Sequence, residues 1–394
     1  MTEALKPERE ADVVEAVLAA RLAGTKLDIV GGGSKAGLGR PRAEARRLSS
    51  SALSGIVFYA PAEMTLCAGA GATIAAIEAA VAEHGQTLPF EPMRPHALWG
   101  AGGEPTLGGM VATNLAGPRR PSAGAVRDGV LGLKLVNGLG EPIRCGGRVM
   151  KNVTGLDLVK LNCGAHGTLG VLTEATIKLA PRPETETTLV MAGLGEPKAV
   201  EAMTRGLGSP FGVTGAAWLA PGMGRDFSRT LMRIEGFAES IDDRVGRFAA
   251  LIGEFGEVSR LSGEDSSTLW RSVRDAEFIA EPRDRAVWRV NLAPSRAGSF
   301  VAALGATSLA HFLDWGGGLV WVATAASEAA ASTVRRAVAS AKGHATLMRA
   351  PDSLRAAVEV FEPPSALGLT LSRRLKQSFD PDGVLNFGRM YDGV

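Results

Sequence analysis

Cysteine is scarce in this chain: three residues in 394, Cys67, Cys145 and Cys163, with no CxxC spacing. That excludes a self-contained zinc or iron–sulphur site of the ordinary type. The three read instead as small apolar side chains in a reducing compartment. An excess of one charge is also missing, since 43 Lys and Arg face 41 Asp and Glu and no basic block occurs. Nothing here favours nucleic acid or an anionic membrane. No apolar run reaches the roughly 18 residues of a spanning helix, so no transmembrane segment is expected. The start, MTEALKPEREADVVEAVLAA, lacks the basic residues and apolar core of a signal peptide. A cytoplasmic location is the expectation. The five histidines (His84, His96, His166, His311 and His344) form no HxH or HxxxH pair, and no metal is expected.

What the chain has is glycine, 50 residues, against two tyrosines. Many backbone positions therefore need special geometry, and a helical bundle is excluded. The densest run is LDIVGGGSKAGLG, residues 27–39, where a strand runs into a loop. Without Cβ atoms, Gly31, Gly32 and Gly33 let backbone N–H groups approach a ligand. With Ser34 they can form a concave nest for an anion such as a pyrophosphate. A second glycine-rich set lies between Gly100 and Gly124, and the two together point to one large phosphate-bearing ligand.

The length permits two domains. Glu8 to Ala23 reads as an amphipathic helix, Leu27 to Val30 as a strand, and Thr73 to His84 as a helix closed by Gly85. Residues 91–121 lack periodicity, so they are either disordered or wrapped around a ligand. Strands at 129–137 and 142–145 flank a turn at Asn137-Gly138. After Gly170 to Leu179, Pro181 and Pro183 mark a boundary. Beyond it, strands and helices alternate as two copies of an antiparallel α+β unit. A last helix, Ala366 to Phe379, precedes the tail DPDGVLNFGRMY.

Three phosphate-binding patterns compete. A Walker A loop needs Gly-Lys before Ser or Thr, which is absent. A Rossmann fingerprint fails at Gly31 by one residue, and GAGATI at Gly69 to Ile74 puts a bulky Ile74 where a small residue belongs. The third pattern uses both loops, with TLGGMVATNLAG, residues 106–117, laid along a diphosphate and a ribityl chain. The bland alternative is a glycine-rich turn region without a ligand.

The ordered motifs GGGS, TLGGMVATNLAG, VRDGVLGLKLVNGLGE, KNVTGLDLVKLNCGAHGTLGVLTEATIKLAPRPE and LKQSFDPDGVLNFGRMY resemble the vanillyl-alcohol-oxidase or PCMH-type FAD-binding family. Within it, they are similar to the FAD-binding subunits of bacterial glycolate oxidases. The resemblance implies an α+β architecture. Residues 1–183 would be a two-subdomain FAD-binding domain, 184–365 an antiparallel α+β cap, and 366–394 a helix and tail returning to the FAD domain. It implies that Gly31, Gly32, Gly33, Ser34 and Lys35 contact the FAD pyrophosphate. Thr106, Gly108, Gly109, Thr113, Asn114 and Gly117 would line the other side. Gly124, Asp128 and Val130 would hold the ribityl and ribose region, Gly170 and Val171 the adenine end, and Asn386 and Gly388 would lie near the isoalloxazine. Ser34 and Lys35 stand where a covalently linked histidine often occurs, so FAD is expected to be non-covalent.

The implied activity is oxidation of a small 2-hydroxy acid, glycolate to glyoxylate. The implied partners are a catalytic FAD-containing glycolate oxidase subunit and an iron–sulphur subunit. The family's histidine pair is missing and His166 stands where an acid is usual, so no catalytic residue is assigned. An inert FAD-carrying assembly subunit, or a self-sufficient oxidase of another alcohol, remain as alternatives. In the cap, Arg285 and Arg289 flank Trp288, and Lys376 and Arg389 lie near the tail. Each is a candidate for a substrate carboxylate or an exposed charge.

Overall fold

The computed structural model describes residues 4–42, 44–100, 102–148 and 156–394. The start of the fourth resemblance motif, residues 151–155, lies outside them. The chain divides into two compact units, one of Met1–Ala116, Gly124–Arg182 and Pro363–Val394, the other of Gly117–Ala123 and Pro183–Glu362.

The first unit has two cores. In one, the helix Glu10–Leu22 buries Val13, Val17 and Ala20, a spacing that keeps them on one face. They pack with Leu27, Leu48, Val136, Val171, Val384 and Leu385. The strand Leu27–Val30 pairs in parallel with Arg46–Ser49, and Leu27 also bridges Leu385 from the tail. The other core lies on a five-stranded antiparallel sheet, ordered Ile56–Ala60, Thr65–Gly69, Val171–Lys178, Val130–Val136, Pro142–Gly146. Ile74, Ile77, Val81, Leu107, Met110 and Val111 belong to it.

The long segment read as aperiodic is partly helical, with His96–Trp99, Leu107–Thr113 and Arg120–Ala123. The glycine pair hid the second of these: Leu107, Met110 and Val111 keep helical spacing, but Gly108-Gly109 between them reads as a break. Thr106 starts it by accepting the Gly109 N–H, and Asn114 ends it at a φ of 49°.

The second unit is an eight-stranded antiparallel sheet made of two βαββαβ halves. The first half runs Thr185–Ala192, Glu196–Leu207, Val213–Leu219, Arg229–Gly236, Ala238–Ile252, Val258–Ser262. The second runs Ala286–Asn291, Ala297–Leu304, Ala310–Asp314, Leu319–Thr324, Glu328–Ala341, His344–Arg349. They join where Trp218 and Leu219 pair with Leu313 and Phe312. The doubled α+β pattern read in the sequence is thus one continuous sheet.

Candidate functional site

A cavity in the first unit collects the glycine loops. One wall is Gly31, Gly32, Gly33, Ser34, Lys35 and Ala36, which follow the strand Leu27–Val30. Facing them are Thr106, Gly108, Gly109, Ala112 and Thr113, the cap and one side of the helix Leu107–Thr113. Loop and helix approach backbone to backbone. A methyl group on Gly31 would overlap Thr106 Oγ1, and one on Gly32 would overlap the Glu104 carbonyl. Ser49 Oγ donates to the Gly31 carbonyl at 2.8 Å and anchors the loop from beneath.

Lys35, half-buried, supplies a cation to this wall, and loss of hydration lowers its pKa to about 8. Arg389 supplies a second. Its Nη2 donates to the Leu38 carbonyl at 3.1 Å, and its Nη1 lies 3.8 Å from Asp28. His166 is buried at a φ of 52° and also lines the cavity. Burial, then the charges of Arg389, Arg42 and Lys35, drive its pKa down to about 3, so its imidazole is neutral. Among the described residues, none that lines the cavity is acidic. Two cations, exposed N–H groups and no carboxylate suit a diphosphate.

Of the remaining expected residues, only Gly170 lines the cavity among the described residues. Val171 is buried in its strand opposite Val136. Asn114 Oδ1 accepts the Arg127 N–H, Asp128 closes the turn after Gly124 by accepting the Ala125 N–H, and Val130 is core. Gly117 belongs to the second unit, where its carbonyl accepts the Trp315 indole N–H. Asn386 acts as a clamp behind the wall. Its Oδ1 accepts the Ile29 N–H at 2.8 Å, and its Nδ2 donates to the His166 carbonyl at 2.7 Å. Gly388, at a φ of 73°, turns the chain into Arg389. Sequence reasoning left His166 and Arg389 without a place. The signals were GAHGTLG and the arginine three residues after Asn386.

Among the described residues no cluster of three metal-ligating side chains occurs, and no helix is long and apolar enough to cross a membrane. The three cysteines are free thiols.

Residues 3–146 match a family described as an FAD binding domain. The chain is 37% identical to the glycolate oxidase subunit GlcE of Escherichia coli (strain K12), over 93% of each chain. It is 47% identical to the glycolate oxidase subunit GlcD of Bacillus subtilis (strain 168), over 22% of this chain and 18% of that one. In structure it resembles alkyldihydroxyacetonephosphate synthase with a TM-score of 0.69 at 14% identity, covering 97% of this chain and 75% of the other. FAD is therefore the cofactor, and the cavity chemistry fits its diphosphate. The chain belongs to the PCMH-type family of FAD-dependent oxidoreductases, in the group that includes the glycolate oxidase subunit GlcE.

Proposed function

We propose that this chain is the FAD-binding subunit of a cytoplasmic complex that oxidises glycolate to glyoxylate. In that complex it works beside a catalytic FAD-containing subunit and an iron–sulphur subunit. The observation that carries the reading is the 37% identity to GlcE across 93% of both chains. Residues 31–35, Thr106, Gly108, Gly109 and Thr113 hold FAD non-covalently, with Lys35 and Arg389 meeting its diphosphate. Asn114, Asp128, Asn386 and Gly388 support this wall from behind. Residues 1–183 with 366–394 act as the cofactor domain and 184–365 as the cap.

Bound FAD supplies the acceptor for a hydride equivalent. The protein's share is to hold the substrate Cα–H in line and to give the hydroxyl proton a base. His166, neutral down to about pH 3, is too weak a base for that proton at neutral pH. The second reading is an FAD-carrying assembly subunit with no turnover of its own. Anaerobic addition of glycolate to the purified yellow protein separates the two. Bleaching of the flavin band supports oxidation by this chain, and an unchanged spectrum in a fully loaded sample rejects it.

The Lys35 ammonium gives a pH signature. It is charged below about pH 8 and neutral above, so affinity for the diphosphate falls as pH rises through that value. The limiting slope is about tenfold per pH unit. Titrating FAD into apoprotein between pH 6 and 10 should show this break (a range of roughly two units either side of Lys35), and Lys35→Met should remove it.

A further inference from the structure

The last helix of the first unit is turned the unusual way round. Ala366–Phe379 is 14 residues long, and the side chain it buries is a lysine, Lys376. Its leucines lie outside: Leu367 is 70% exposed and Leu371 49%. Leu367, Leu371, Arg374 and Ser378 fall at i, i+4, i+7 and i+11, a single stripe along the helix. Leu369, Ser372, Lys376 and Phe379 fall on the opposite side, where each is at least half-buried.

A frayed end does not explain the exposure. Ser365 caps the helix by accepting the Gly368 N–H at 3.1 Å. At the other end Lys376 donates to the Thr168 carbonyl at 2.8 Å and the Leu385 carbonyl at 2.6 Å, and it meets Asp380 at 2.8 Å. The stripe is therefore fixed before anything touches it, which lowers the entropy cost of docking. A single leucine on a surface needs no explanation, but two on successive turns of a fixed helix form an apolar ridge.

Charge narrows what can cover the ridge. The helix carries Arg373, Arg374 and Lys376 and no Asp or Glu. Lys376 is engaged by Asp380, and Arg373 Nη2 donates to the Asp392 carbonyl, a neutral group, at 3.5 Å. Arg374 stands exposed in line with the two leucines. A second copy of the chain would bring arginines against arginines, with no carboxylate on either helix to answer them, which opposes two-fold pairing. The complementary surface is apolar at its centre and acidic at its edge, and it belongs to a different chain.

We infer that Leu367, Leu371 and Arg374 form a docking ridge for the catalytic flavin subunit, which meets it with an apolar groove bordered by carboxylates. The leucines supply the buried area, and Arg374 fixes the register by pairing with a carboxylate at the groove's edge. This deepens the reading of the chain as one subunit of a glycolate-oxidising complex and rests on it.

Calorimetry with the FAD-loaded protein and the purified catalytic flavin subunit of the same organism tests it. Leu367→Ser and Leu371→Ser should each weaken binding about tenfold, the loss of one buried leucine, with flavin content and melting temperature unchanged. Leu371→Met should keep most of the affinity. Added salt should weaken wild-type binding, and Arg374→Gln should flatten that dependence. Equal binding by wild type and both serine variants overturns the ridge and leaves the complex standing. No binding by wild type overturns the complex and takes the ridge with it. A wild-type dimer, or retention on phosphatidylglycerol vesicles, that both serine changes abolish would assign the ridge to a second copy or to lipid and overturn the partner.

Discussion

Gly32→Val will give a folded protein that no longer retains flavin. Gly32 and Gly103 face each other across the two loops, and a Cβ on either would drive into the other side: Gly32 into the Glu104 carbonyl, Gly103 into the Gly32 carbonyl. Backbone cannot swing aside as a side chain tip can, so the loops must separate. Overpacking of this kind costs about 2–3 kcal/mol, which corresponds to about a hundredfold in FAD affinity. The core on the five-stranded sheet does not include these positions, so the melting curve should move little. Gly102→Ala is the control, since a Cβ there meets nothing within 4 Å. Fluorescence titration of apoprotein with FAD reads both; equal affinity in Gly32→Val and wild type would remove the loop from the cofactor site.

Asp380→Ala will be the most destabilising single change outside the hydrophobic cores. Asp380 is 1% exposed and sits where the last helix meets the tail. Its two oxygens accept the N–H groups of Val384 and Leu385, each at 2.8 Å. Lys376 lies 2.8 Å from it and also donates to the Thr168 and Leu385 carbonyls at 2.8 and 2.6 Å. Removing the carboxylate leaves a buried ammonium uncompensated and two backbone donors unsatisfied. A cost of about 3–5 kcal/mol follows, read as a lower urea midpoint. Lys376→Met with Asp380→Ala should cost less than the two singles summed, because each single change strands the other partner. Flavin should leave more readily too, since the tail that Asp380 pins carries Asn386 and Arg389.

The helix Ala366–Phe379 and the strand Ala286–Asn291 were legible to the residue, because their periods and flanking prolines or polar residues mark both ends. The glycine loop was legible because a strand feeds it and a second glycine-rich segment repeats its chemistry. The helix Leu107–Thr113 was not, because Gly108-Gly109 interrupts the short run formed by Leu107, Met110 and Val111. Nor was the strand His344–Arg349, whose pairing partner Ala286–Asn291 is distant in sequence and set by the repeat. In the site, glycines advertise themselves by type, whereas the places of His166 and Arg389 depend on tertiary approach. Arg389 reaches the cavity only because Asn386 Oδ1 and Leu385 tie the tail to residues 27–29. Gly117 shows the converse. It continues a motif that lines the cavity, yet its carbonyl is committed to Trp315.

The clamp of Asn386 on Ile29 spans 357 positions. During synthesis, the glycine loop leaves the ribosome 351 positions ahead of the arginine that completes its wall, counted from Leu38 to Arg389. A half-made chain therefore offers the nucleotide only one side of its bed. Loading of the cofactor waits until Asn386 and Arg389 are in place, and a truncation that spares the whole glycine loop but removes them can still leave the protein colourless.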